Sequence, residues 1–220
     1  DTPMLISACV ITCNEENLIE RCLASLSFAD EIVVIDAMSV DSTAQRAKNF
    51  TSKFFASPWN GFTAQRNLAL DHAQGKWVFF LDSDEQASKE LGQRFKKLAG
   101  DPLDKHPNCY SIKRIEYFLG KELKFGPGNP SHQWRFFKRQ NVRFTGDVHE
   151  YPKFEGPIGL IEEPIHHYRD LAIDRFLNKL NHYTTLEALD RFKQGESSSL
   201  LHAMGTFFTT FLKNGIRYKG

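Results

Sequence analysis

Residues 76–85 read Lys-Trp-Val-Phe-Phe-Leu-Asp-Ser-Asp-Glu, an unbroken apolar run closed by three carboxylates, Asp82, Asp84 and Glu85. An apolar run of this length without polar alternation is the pattern of a strand buried on both faces, as in parallel sheets. Working back toward the amino terminus, Leu5–Ile11 and Glu31–Ile35 read as two more buried strands, and Lys53–Ala56 as a short one. Between them, residues 16–26 place Leu18, Ile19, Cys22, Leu23 and Leu26 at helical spacing, and residues 42–50 and 62–73 also have helical periodicity. Strand and helix alternate. The fold class is therefore α/β: an open, mostly parallel sheet with helices on both faces, right-handed crossovers, and ligands beyond the carboxyl ends of the strands.

After Leu98 the rhythm changes. A polar break at 100–108 leads to strands predicted at Cys109–Ile115, His132–Lys138 and Val142–Thr145, with a glycine- and proline-rich turn at 126–130, so an antiparallel portion is expected here. A long helix is predicted over 170–192 and a final one over 198–213. The chain reads as a single domain, 1–220, divided into 1–100, 101–169 and 170–220.

Composition narrows the class. The 28 basic and 27 acidic residues nearly cancel, which argues against a nucleic-acid binder. Cys9, Cys13, Cys22 and Cys109 lack metal-site spacing and read as buried free thiols of a reducing compartment. No apolar run approaches the roughly 20 residues of a membrane span. No leader is visible, although the sequence opens at Asp1 and one could have been trimmed. A cytoplasmic placement is expected.

The acidic turn admits two readings. Three carboxylates at the end of a buried strand call for a compensating cation, and hard oxygen ligands suit Mg2+ or Mn2+, which share their coordination with phosphates. The alternative is a helix start, with Asp84 or Ser88 as the cap and Glu85 in the first turn. Two further strand ends would open on the same edge: Thr12-Cys13-Asn14-Glu15-Glu16, and Asp36 followed by Ala37-Met38-Ser39-Val40-Asp41-Ser42-Thr43. Asp36 could accept from a ribose or base, and Asn14 and Glu15 could contact a base. Asn14, Asp41 and Ser42 also suit helix capping; Asp36 comes too early for that.

The runs "ISACVITCNEENLIERCLASL", "EIVVIDAMSVDST" and "GFTAQRNLALDHAQGKWVFFLDSDE" resemble the donor half of glycosyltransferase family 2, of GT-A fold. The later runs "YFLGKELKFGPG", "QWRFFKR", "GDVHE" and "HHYRDLAIDRFLNKLNHYT" resemble the bacterial branch that holds the lipopolysaccharide core glucosyltransferases of the WaaE type. The resemblance implies a nucleotide pocket lined by Thr12, Asn14, Glu15 and Asp36, with Arg66 near the diphosphate. It also implies Asp82 and Asp84 as holders of a Mn2+ or Mg2+ ion. Family members usually carry a small Ser or Gly pair after the position of Asp36, where this chain has Ala37 and Met38, so the base pocket is expected to be reshaped.

The same resemblance implies inverting transfer, with a carboxylate base that removes the acceptor hydroxyl proton. By composition alone Glu150 is a salt-bridging loop residue; the match to the branch makes it the expected base, with Asp147 in reserve. His167 is the candidate third metal ligand, ahead of His166, and each reads equally as a structural histidine. Arg135 and His149 are assigned to the acceptor, although the cations of "QWRFFKR" also fit a solvated strand edge. The donor expected is a UDP-sugar ahead of a dTDP- or GDP-sugar, and the acceptor a saccharide, free or lipid-linked. The last helix, with Phe207, Phe208 and Phe211 before Lys213 and Arg217, reads either as an interfacial helix making peripheral contact with the inner membrane face or as a core helix. Two rivals share parts of the pattern. A sugar nucleotidylyltransferase would need a glycine-rich loop after the first strand, which "TCNEEN" lacks. A degenerate scaffold would not need the intact Asp82, Asp84 and Glu150.

Overall fold

The computed structural model describes residues 4–124, 130–146 and 151–169, then 181, 184–185, 187–189, 191–192, 195 and 199–218, with backbone alone at 169, 200 and 213–218. Two compact units divide the chain: Asp1–Ile115 with Ser131–Tyr168, and Glu116–Pro130 with Arg169–Gly220.

In the first unit the strands β1 (Ile6–Thr12), β2 (Glu31–Asp36), β3 (Lys53–Ala56) and β4 (Trp77–Asp82) are parallel, β1 lying between β2 and β4. Helices α1 (Ile19–Ala24), α2 (Thr43–Ala47) and α3 (Phe62–His72) connect them. After β5 (Glu85–Ala87) and α4 (Lys89–Gly100) come β6 (Cys109–Phe118), β8 (Ser131–Lys138), β9 (Arg143–Thr145), β10 (Tyr151–Lys153) and β11 (Ile158–Arg169). The sheet order is β3-β2-β1-β4-β8-β6-β11-β5, and β8 pairs antiparallel with both β4 and β6. In the second unit, β7 (Lys121–Glu122) folds back on the end of β6, and α5 spans Leu200–Tyr218.

The two-sided burial follows from the period of two along each strand. Ala8, Val10, Val34, Phe79 and Leu81 face one layer with Leu23 of α1, Ala47 of α2 and Phe95 of α4; Cys9, Val33, Ile35, Val78 and Phe80 face the other with Ala69 and Leu70 of α3. Helices thus cover both faces, as the unbroken apolar runs require. Aromatic rings fill the join between the parallel and antiparallel parts: Phe136 stacks on Trp77 at 4.7 Å and on Phe95 at 4.0 Å between centroids. Just before β4 the chain passes so close to β1 that a Cβ on Gly75 would lie 2.6 Å from the Ser7 backbone nitrogen.

Several expectations need correction. The first helix starts at Ile19, after a turn in which Leu18 and Ile19 donate to the Glu15 carbonyl, and not at residue 16. Glu85 sits in a strand, while Ser88 alone caps α4, its hydroxyl accepting from Leu91 N at 3.1 Å. Asn14 caps no helix. Asp41, two residues before the start of α2 at Thr43, accepts from Thr43 N, and the Ser42 side chain makes no cap bond. Strands β5, β10 and β11 were not anticipated. The four thiols are free, but Cys13 is exposed while the other three are buried. The last helix runs to Tyr218, and most of the helix predicted over 170–192 falls outside the described residues.

Candidate functional site

β4 ends at Asp82, and the groups that meet it come from three other elements. Arg66 of α3 donates to Oδ1 at 3.0 Å; Arg135 of β8 donates through Nη1 to the same oxygen at 3.2 Å and through Nη2 to Oδ2. Glu85, in β5, is fully buried and accepts from Arg135 at 3.2 Å, from Arg114 of β6 at 3.3 Å, and from Asp82 N at 3.0 Å. The Arg66 guanidinium also lies over the rings of Phe80 and Phe144, at 5.6 and 5.5 Å. Three guanidiniums therefore enclose two carboxylates.

Burial alone would push both acids up. At Asp82 the Arg135 and Arg66 guanidiniums overcome it and hold the carboxyl far below the usual range. At Glu85 burial wins, helped by the negative Asp82 and opposed by Arg135 and Arg114, so its carboxyl stays above the usual value. The sequence premise that these acids need a divalent ion to coexist is thus corrected: for Asp82 and Glu85 the protein supplies its own cations. Arg135 is 6% exposed and lies in a central strand, so it occupies no solvated strand edge.

Asp84 is arranged differently. Its Oδ2 lies 3.1 Å from His167 Nε2. Sheet pairing causes this approach. β11 runs antiparallel to β5 with His167 opposite Glu85, and Tyr168 N donates to the Asp84 carbonyl at 3.0 Å. The Asp84 side chain is 35% exposed and that of His167 11%. A carboxylate oxygen and an imidazole nitrogen side by side, partly open to solvent, fit a divalent metal as a pair of ligands. Among the described residues no group of three or more His, Cys, Asp or Glu converges on one point. Such a pair leaves further positions for phosphate oxygens and water.

At the neighbouring strand ends, two loops are bonded to one another. Asn14 N donates to Ser39 Oγ and Asn14 Oδ1 accepts from Val40 N, at 2.8 and 2.9 Å. Glu15 N donates to Thr43 Oγ1 at 2.8 Å. Asp36 is buried and accepts from both the backbone N and the hydroxyl of Ser39, so it fixes this loop directly. Thr12 is buried, and its hydroxyl finds no protein partner among the described residues. Met38 holds φ at +59°, a left-handed conformation costing a non-glycine residue on the order of 1 kcal/mol.

The profile of the family described as glycosyl transferase family 2 matches residues 7–154, well over half of the chain. The chain belongs to glycosyl transferase family 2. It is 28% identical over 227 residues to the lipopolysaccharide core biosynthesis glycosyltransferase LpsC of Rhizobium meliloti, covering 96% of this chain and 82% of that one. An uncharacterized glycosyltransferase of Rickettsia typhi is 28% identical over 221 residues, 94% of this chain and 75% of that protein. Among solved structures, S. aureus TarS 1–349 in complex with UDP-GlcNAc superposes with a TM-score of 0.55 at 19% identity, over 77% of this chain and 60% of that one. The chain thus spans less than two thirds of that fragment. Glucosyl-3-phosphoglycerate synthase of Mycobacterium tuberculosis, in complex with Mn2+, UDP and glucosyl-3-phosphoglycerate, gives 0.50 at 18% identity, over 79% and 75% of the two chains. At these identities the likeness concerns the fold alone: GT-A, a mixed α/β glycosyltransferase fold.

In this family 2 glycosyltransferase the structure brings together Asp82, Asp84, Arg66, Arg135 and His167, and separately Thr12, Asn14, Glu15 and Asp36. Asp147, His149 and Glu150 lie outside the described residues. Sequence reading missed Arg114 and the true partners of Arg135. The clue to the latter was an arginine among Trp134, Phe136 and Phe137, a place where a cation needs a buried anion.

Because the folded pKa of Asp82 lies below its unfolded value, its contribution to stability is complete above about pH 4 and is lost as pH falls through the folded value. Arg135→Ala leaves two carboxylates short of a partner and should cost about 3–5 kcal/mol in urea unfolding at neutral pH. The difference from the native protein should shrink as pH falls below about 4, where the stability contributed by the paired Asp82 is lost.

Proposed function

We propose that the chain transfers a sugar, with inversion, from a nucleotide-sugar to a saccharide of the lipopolysaccharide core at the inner membrane face. The donor in this reading is a UDP-sugar, ahead of a dTDP- or GDP-sugar. Residues 1–100 form the donor half of a single GT-A domain, 101–169 the acceptor half, and 170–220 the closing helices. What carries the reading is the approach of Asp84 to His167 beside the arginine-held Asp82. The membership in family 2 and the relative LpsC support the reaction class and the acceptor. The Mn2+ and UDP bound by the mycobacterial synthase support the donor chemistry.

Asp84 and His167 would hold the metal, with Asp82 beside it. An imidazole nitrogen in the donor set favours Mn2+ over Mg2+, which keeps to oxygen. When bound, the ion supplies Lewis-acid stabilisation of the leaving diphosphate. Asp82, fixed on two sides by Arg66 and Arg135, keeps the outer part of its carboxylate toward the nucleotide. Arg135 serves the acceptor side only by positioning this acid. The unpartnered Thr12 hydroxyl gives the nucleotide a hydrogen-bonding site, while Asn14, Glu15 and Asp36 shape the pocket through the loops they join. Glu150 takes the acceptor proton, with Asp147 as the alternative base and His149 against the acceptor.

Isothermal titration of UDP with and without Mn2+ tests the donor site. Native protein should bind more tightly with the ion, and Asp84→Ala and His167→Ala should each remove most of that gain; an unchanged metal-dependent affinity rejects the assignment. Glu150→Gln should bind UDP as the native protein does while losing transfer by about 100-fold or more, the scale of a missing general base. Transfer that survives the substitution removes Glu150 from the role.

A further inference from the structure

Helix α5 has 19 residues, about 28 Å of helix, and its described large apolar side chains are exposed. Leu201 is 82% exposed, Phe207 65% and Phe211 67%, with Met204, Phe208 and Leu212 about half exposed or more. At 3.6 residues per turn these six fall on a single arc of about 140°, wide enough for a complete apolar face. Phe207 lies 5.6 Å from Phe208 and 6.3 Å from Phe211 between ring centroids, so the rings form a continuous strip. The opposite arc carries His202, Thr206 and Thr209.

Charge selects the occupant of that face. From Ser197 to Gly220 the sequence holds Lys213, Arg217 and Lys219 and no acidic residue. The only formal charges of this stretch are positive, and an anionic lipid surface complements them. No described helix is long and apolar enough to cross a membrane, so the geometry is that of a helix lying in the interface.

We infer that α5 docks the protein on an anionic lipid surface, its phenylalanine face among the acyl chains and its basic residues at the headgroups. This rests on the helix alone and stands whatever the donor or metal proves to be.

Co-sedimentation of the full chain with vesicles of phosphatidylcholine, alone or with phosphatidylglycerol, tests it, and UDP binding serves as a control for folding. Native protein should pellet with the anionic vesicles and be released by salt. Phe207→Glu with Phe211→Glu should lower vesicle affinity by about tenfold or more while UDP binding stays unchanged. Lys213→Glu with Arg217→Glu should abolish the preference for phosphatidylglycerol. The inference is overturned if native protein stays in the supernatant, if the phenylalanine variant pellets like native protein, or if sedimentation velocity shows a dimer that this variant dissolves.

Discussion

A carboxylate cannot stay ionised at the end of a buried strand without a cation beside it, and this constraint organises the protein around β4. The sheet carries Glu85 into a dry setting, where an unpaired charge would cost several kcal/mol, and leaves Asp82 beside it about a third exposed. Arg66 from α3, Arg114 from β6 and Arg135 from β8 answer that demand, so the parallel half, a covering helix and the antiparallel half all converge on the same two acids. The join between the two kinds of sheet is therefore electrostatic as well as aromatic. Its consequence for chemistry lies in what it leaves over. With Asp82 and Glu85 satisfied internally, Asp84 is the acid of the turn whose partner is a potential metal ligand, His167.

The parallel half was open to reading because two-sided burial writes itself as uninterrupted apolar runs, as in Val33–Ile35 and Val78–Leu81. The antiparallel half was harder. β11 alternates Ile161, Glu163, Ile165 and His167 with polar residues and Pro164, so its apolar signal is diluted over 12 residues. Missing that strand meant missing the reason His167 meets Asp84, although the residue itself was on the list of candidates. Arg135 was assigned to the acceptor, with a solvated strand edge as the competing reading; its buried partners lie 50 and 53 positions earlier in sequence, where no local pattern points. The loops at Asn14 and Asp36 carried a similar ambiguity, since a polar side chain suited to a nucleotide is equally suited to bonding an adjacent loop. Here the loop bonds of Asn14 and Asp36 are made.

Exposure at the other end of the chain tells a complementary story. Aromatic side chains are expensive to leave in water, and α5 leaves a whole strip of them there. An enzyme that acts on a lipid-anchored saccharide gains from being held at the surface where its acceptor resides, because confinement raises the local concentration without new contacts in the site. The proposed donor chemistry and the inferred lipid contact are thus separable properties, each open to its own test.

The division of labour among the acids of the turn is the central claim, and electron spin-echo spectroscopy of bound Mn2+ tests it most directly. With UDP present, native protein should show nitrogen coupling from a single imidazole, and His167→Gln should abolish that coupling. Asp82→Asn should leave the coupling in place. A native spectrum without nitrogen coupling, or one that survives His167→Gln, would contradict the account.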